Sequence, residues 1–372
     1  PIEYPERSEA RRKTVLYLMK RHGYITEEEE KLANSIPVSS LTDTTKATTA
    51  NRKYGGYIDT VVKEIKNKYK VDPYTTPLVV YTNLDRSKQD AVNSVMNGES
   101  YTWINDVVQA GVAVVDSQTG NIGNRTAYGK NQWNFATQNK RQPGATAKPL
   151  FDYGPGIEYN NWSTYTLFDD APYTYTTGKP IQNWDGQYMG IMTLRKALSY
   201  SRNVPAIKAF QQVDNKKIVE FVTNLGIKPE IENGRIHEAH SIGAFTGTNP
   251  LEMSAAYAAF SNGGYYNEPY SVNKIIFKSN NETIEHNEDN YVIKRKVMSD
   301  ATAFMITSVL QDVNLYGGNP SNVAKKTGTT NYDSKTMSDY NLAYDAVRDS
   351  WIIGYSTKTV VGLWYGYENL DR

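Results

Sequence analysis

Three short blocks in fixed order constrain this chain more than any other feature: Ala145-Thr146-Ala147-Lys148, Ser201-Arg202-Asn203 and Lys326-Thr327-Gly328-Thr329. Each asks for a different backbone. Lys148 follows position 145 by three residues, so on a helix it stands one turn further on and on the same face. Ala197 to Pro205 reads as a helix ending in a loop that carries Ser201 and Asn203. Lys326 to Thr329 reads as an edge strand, because Gly328 removes a side chain where another backbone must come close. A fold that uses all three has to bring a helical turn, a loop and a sheet edge to one point across long stretches of intervening chain.

Chemistry explains why these residue types belong together. A hydroxyl at position 145 would be a nucleophile with an amine in reach. Lys148 can take its proton only when neutral, which requires nearby positive charge or partial burial. Lys326 supplies that charge. Ser201 relays a proton towards a leaving amine, and the Asn203 amide holds Lys148 and a substrate carbonyl. A peptide can lie beside the edge strand as an added strand, its carboxylate bound by the hydroxyls of Thr327 and Thr329. The backbone N–H groups of residue 145 and Thr329 then form an oxyanion hole, the largest electrostatic contribution in most acyl transfers. The catalytic set is position 145, Lys148, Ser201, Asn203 and Lys326, with Thr327, Gly328 and Thr329 for substrate. Position 145 is Ala145, which has no atom to attack with.

With serine at 145 the blocks are S-x-x-K, S-x-N and K-T-G boxes. Their flanks resemble the transpeptidase domain of class A (bifunctional) penicillin-binding proteins of Gram-positive bacteria. Arg141-Gln142-Pro143-Gly144 precedes the first box and Lys148-Pro149-Leu150-Phe151-Asp152-Tyr153-Gly154-Pro155 continues it. Leu194 to Ala206, Pro250 to Gly264 and Trp351-Ile352-Ile353-Gly354-Tyr355 also match, so the resemblance covers roughly residues 77–368. Tyr4-Pro5-Glu6-Arg7, Arg11-Arg12, Val15 to Met19 and His22 to Thr26 look like the tail of that family's glycosyltransferase domain, without its catalytic acids.

The resemblance implies an α+β fold, an antiparallel sheet flanked by helices with a large helical insertion. It implies three regions: a glycosyltransferase remnant at 1–40, a linker and interdomain module at 41–108, and a transpeptidase domain at 109–372. It implies a D,D-transpeptidase acting on peptidoglycan stem peptides that end in D-Ala-D-Ala, inhibited by β-lactams. Its place would be the extracellular face of the cytoplasmic membrane, with the glycosyltransferase domain and anchor upstream. Two further departures stand beside Ala145. The turn Ser117 to Ile122 runs into Gly123-Asn124-Arg125 where the family has a longer second strand, and the chain stops at Arg372 without the family's C-terminal helix.

A 39% apolar fraction and a net charge of +1 suit a globular body and give no support for nucleic-acid binding. The absence of cysteine excludes disulfides, thiolate catalysis and cysteine metal sites. No apolar run approaches the ~20 residues of a membrane span. The four histidines, His22, His237, His240 and His286, show no metal-ligand spacing, and no cofactor or metal is expected. Asp169-Asp170 reads as a loop turn and Glu27 to Glu30 as a solvated helix face.

Thr26-Glu27-Glu28-Glu29 reads as a capping box, Ser39 to Asn51 as a linker, and Tyr57 to Lys70 as a helix whose apolar face is Ile58, Val61, Val62 and Ile65. Three functions fit: the transpeptidase, a serine β-lactamase-like hydrolase, and a natural non-catalytic cell-wall-binding pseudoenzyme. An engineered Ser-to-Ala change suits the sequence better than natural decay, which would also erode Lys148 or Lys326.

Overall fold

Local capping chemistry sets the helix starts. The Thr26 hydroxyl accepts from Glu29 N while the Glu29 carboxylate accepts from Thr26 N, so the expected capping box opens the helix Glu27–Ser35. Asn249 Oδ1 accepts from Glu252 N and Ser299 Oγ from Thr302 N, which caps Pro250–Ser261 and Asp300–Gln311. The structure, a computed structural model, describes residues 4–42, 53–105, 107–120, 122–128, 134–287, 289–315 and 322–367. The expected linker Ser39–Asn51 lies mostly outside them, and so does part of the turn between Ser117 and Arg125.

Two compact units result, Pro1–Gly55 and Gly56–Arg372. In the first, Pro5–Arg21 and Glu27–Ser35 form a helical pair tied by Arg12 Nη2 donating to Ile36 O at 2.6 Å. The region 41–108 therefore divides at Gly55, and its later part belongs to the same unit as the rest of the chain.

Within the second unit, strand β1 (Leu78–Thr82) precedes the helix Arg86–Met96, and β2 (Gln109–Asp116) and β3 (Ile122–Tyr128) follow it. Short ribbons come next: β4 (Leu167–Asp170), β5 (Tyr173–Thr174), β6 (Pro180–Ile181) and β7 (Gly190–Thr193). After a helical stretch come β8 (Tyr265–Asn267), β9 (Val272–Phe277), β10 (Thr283–Glu285) and β11 (Lys294–Lys296). The chain then runs through β12 (Ala324–Asn331), β13 (Val347–Tyr355) and β14 (Thr359–Gly366).

The main sheet has the order β12-β13-β14-β2-β3, antiparallel throughout. Its β12 is an edge strand, as the glycine-containing block requires. One face carries Trp351, Ile353, Val360 and Trp364 into the large core beside Pro250–Ser261, a helix buried on every side as its all-round apolar sequence demands. On the other face Val112 and Val114 meet Met96 and Val92 of Arg86–Met96. These layers give the α+β architecture.

β1 pairs with β9, and β9 with β10, in a separate three-stranded sheet. The helix Gly55–Glu64, extended by a π turn over Ile65–Tyr69, packs on it through Tyr57, Val61, Ile65 and Tyr69. Of the expected face, Val61 and Ile65 are buried and Val62 is half-buried, but Ile58 is exposed and Tyr57 takes its place, donating its hydroxyl to Ile122 O at 3.0 Å.

Candidate active site

The turn that holds position 145 is built from backbone meeting backbone. A Cβ on Gly328 would sit 2.4 Å from Pro143 O and 3.0 Å from Ala145 N. Gly144 adopts a φ of +56°, and a Cβ there would lie 2.5 Å from Thr329 O. Gly243 closes the third side against Gly144 in the same manner. Trp351 Nε1 donates to Gln142 O at 2.9 Å and Tyr257 Oη to Thr146 O at 2.6 Å, fixing both ends of the turn. Ala145 and Thr329 both line a cleft of about 1020 Å³.

Lys148 leaves this turn fully buried. Its Nζ donates to Ser201 O at 2.6 Å, Asn203 Oδ1 at 2.7 Å and Arg202 O at 3.2 Å, and lies 3.3 Å from Ser201 Oγ. Lys326, also buried, donates to Ser201 Oγ at 2.8 Å and to Thr327 O at 2.9 Å. Both amines thus contact one hydroxyl oxygen. Burial first, and then the neighbouring Lys326, hold Lys148 well below the ordinary lysine range. Burial pushes Lys326 down to about 7. The three carbonyl-type acceptors around Lys148 favour its charged form, but they are outweighed by the complete loss of solvent. The sequence asks for partial burial or a nearby positive charge; both act, and desolvation is the larger cause.

Lys148, Ser201, Asn203 and Lys326 form one hydrogen-bonded cluster, and Ser201, Asn203 and Lys326 line the same cleft as Ala145, Thr327, Gly328 and Thr329. Asn203 Oδ1 accepts from Lys148, and its Nδ2 donates to Gln182 O at 2.7 Å. Ser201 has a φ of +56°, a left-handed conformation that costs a serine on the order of 1–3 kcal/mol and persists only when its surroundings enforce it.

The sequence missed what enforces it. Asp170, read as part of a loop turn, is a fully buried residue of β4 and pairs with Arg202 Nε at 2.8 Å. Arg202 Nη1 reaches Asp185 Oδ2 at 2.8 Å, and Asn183 Oδ1 accepts from Asn203 N at 2.8 Å. Asp152, one turn beyond Lys148, was also missed. Burial pushes its carboxyl well up, against the pull of Ser241 and Lys148. An acid four residues after a lysine on a helix was the available signal, as was an arginine inside the second block.

The lysines make a prediction for stability. Lys326 has an unfolded value near 10.5 and a folded one near 7. Between those values the unfolded chain holds a proton that the folded chain does not, so stability is lost as pH falls through the window. Urea unfolding of Lys326→Met should show a shallower rise in stability between pH 7.5 and 9, by up to about 1.4 kcal/mol per pH unit. An unchanged slope would mean that Lys326 is charged in the folded protein.

Comparison with known proteins bears on this site. Residues 110–363 match the family model described as the penicillin binding protein transpeptidase domain. The chain is 40% identical to penicillin-binding protein 1A/1B of Bacillus subtilis over 98% of its length, and 33% identical to penicillin-binding protein 1A of Streptococcus oralis over 99%. It spans 41% and 60% of those two proteins. Among solved structures it resembles PonA1 of Mycobacterium tuberculosis, with a TM-score of 0.70 at 21% identity, covering 86% of this chain and 84% of that one. Penicillin-binding protein 1A of Haemophilus influenzae gives 0.67 at 19% identity, covering 100% of this chain and 74% of that one.

Proposed function

This chain belongs to the transpeptidase-domain family of penicillin-binding proteins, and from that premise we propose that it is the D,D-transpeptidase part of a class A enzyme whose nucleophile position is occupied by Ala145. The observation that carries the reading is the pair of buried amines, Lys148 and Lys326, meeting on Ser201 beside position 145. That arrangement suits serine acylation and little else.

In the serine form, Lys148 takes the proton of residue 145 as its oxygen bonds to the penultimate D-Ala carbonyl of a stem peptide. The N–H groups of residue 145 and Thr329 stabilise the oxyanion. The C–N bond then breaks, a proton delivered through Ser201 leaves with D-Ala, and the acyl group remains on the serine. An acceptor amine attacks that ester, forms the new amide and returns the serine. The hydroxyls of Thr327 and Thr329 bind the donor's terminal carboxylate, Gly328 lets the strand approach the turn, and Asn203 keeps Lys148 in place. With alanine at 145 the first bond cannot form, so this chain binds without reacting. The upstream glycosyltransferase domain and anchor, and a place on the extracellular face of the cytoplasmic membrane, belong to the same proposal.

Intact-protein mass spectrometry with benzylpenicillin tests it. The chain as it stands should gain no mass, whereas Ala145→Ser should gain one adduct on residue 145. An adduct that then turns over quickly would favour the β-lactamase-like reading. No adduct on the folded serine protein would leave the pseudoenzyme, which Ala145 itself favours.

A further inference from the structure

Arg202 is the middle residue of the second box, yet its side chain is only 1% exposed and is held by carboxylates from the cleft wall. Its Nε meets Asp170 Oδ2 at 2.8 Å and its Nη1 meets Asp185 Oδ2 at 2.8 Å, while Nη2 donates to Gln187 O. Asp170 is further fixed by Asn183 Nδ2 at 2.7 Å and Met189 N at 3.1 Å. The backbone of the same residue faces the other way. Arg202 O accepts from Lys148 at 3.2 Å, next to Ser201 O at 2.6 Å. Two of the three strongest polar grips on the amine are therefore carbonyls whose orientation depends on a left-handed serine and a buried ion pair.

We propose that Arg202 and Asp170 are positioning residues for Lys148: their ion pair ties β4 and the loop after it to the carbonyls that hold the amine, and sets its place and its charge environment. Lys148 as the base rests on the function proposed above. Nothing in the side chain of Arg202 touches the cleft, so its influence has to pass through Lys148. The charged and titratable groups that face that amine are Lys326 from β12, Asp152 from its own helix, Arg202, and Asp170 from β4. Arg202 and Lys326 press it towards the neutral form, and Asp152 and Asp170 oppose them.

Asp170→Asn separates this role from a structural one. It leaves Arg202 charged and paired with Asp185 but removes one negative charge near Lys148. In the Ala145→Ser protein the acid limb of the penicillin-acylation profile should move to lower pH, and the plateau rate should fall about tenfold to a hundredfold as the carbonyls lose their alignment. Arg202→Lys keeps the charge and loses the planar fork, so its plateau should fall with much less displacement of the limb. A purely structural role would reduce the folded fraction and leave the limb of the surviving protein in place, which would overturn the proposal.

The Ala145 chain gives a second readout that needs no acylation. An NMR titration of the Lys148 amine should move to lower pH in Asp170→Asn, and no shift or an upward one would overturn the proposal. Failure of the serine protein to acylate would thus count against the function without deciding the role of Arg202. If Asp170→Asn does not fold, Arg202→Gln is judged by the same titration, which should then move to higher pH because a positive charge near the amine is lost, and an unmoved titration would overturn the proposal.

Discussion

Replacing Lys148 by methionine in the Ala145→Ser protein should slow penicillin acylation by about 10²–10⁴-fold, the usual worth of a positioned general base. Methionine keeps the unbranched shape that a fully buried site needs. It also removes a group whose burial disfavours its own charge, so much of the stability lost with the contacts to Ser201 O and Asn203 Oδ1 is returned. Rate and stability should therefore part company. Adduct formation followed by mass spectrometry, beside a thermal melt, reads both. Acylation within a few-fold of the parent would shift the base to Lys326, the only other amine on Ser201 Oγ among the described residues.

Gly328→Ala should be nearly as damaging for a different reason. The new Cβ would lie 2.4 Å from Pro143 O, 2.9 Å from Thr146 N and 3.0 Å from Ala145 N, all backbone atoms that cannot swing aside. Relief has to come from moving β12 off the turn, which separates Thr329 N from the N–H of residue 145. A displacement near 1 Å costs on the order of 100-fold in rate, and overpacking costs about 1–3 kcal/mol in stability. Gly354→Ala in the neighbouring strand is the control, since its Cβ would come no nearer than 3.8 Å to any atom. Equal behaviour of the two variants in the serine background would show that the close approach at Gly328 is not what shapes the site.

Much of this was legible before any coordinates. Gly328 between two threonines announced an edge strand, and the Thr26 capping box followed from local chemistry. Local pattern specifies elements because capping, periodicity and turn residues act over a few positions. Partners are another matter. Nothing local in Leu78 to Tyr81 says that it pairs with Lys274 to Phe277.

Asp170 misled for the same reason. Two adjacent aspartates look solvated until an arginine 32 residues later is found folded onto one of them. Tyr57 takes the place of Ile58 on the buried face with a hydroxyl reaching Ile122 O, a contact invisible in a hydrophobic pattern. Alanine at 145 was plain to read, and it left the surrounding lysines in place because their positions depend on the strand, the loop and the buried clamp, not on the missing hydroxyl.

The junction of Gly144, Gly243 and Gly328 has one more consequence. A seam made only of main chain offers no side chain to exchange, so every replacement there adds atoms against backbone. The rim is built differently: Trp184, Asp345 and Val347 border the same cleft with side chains, so a substitution there alters the lining without adding an atom to the seam. The fold thus sets a part of the site whose shape is held by main chain beside a part whose shape is set by side chains.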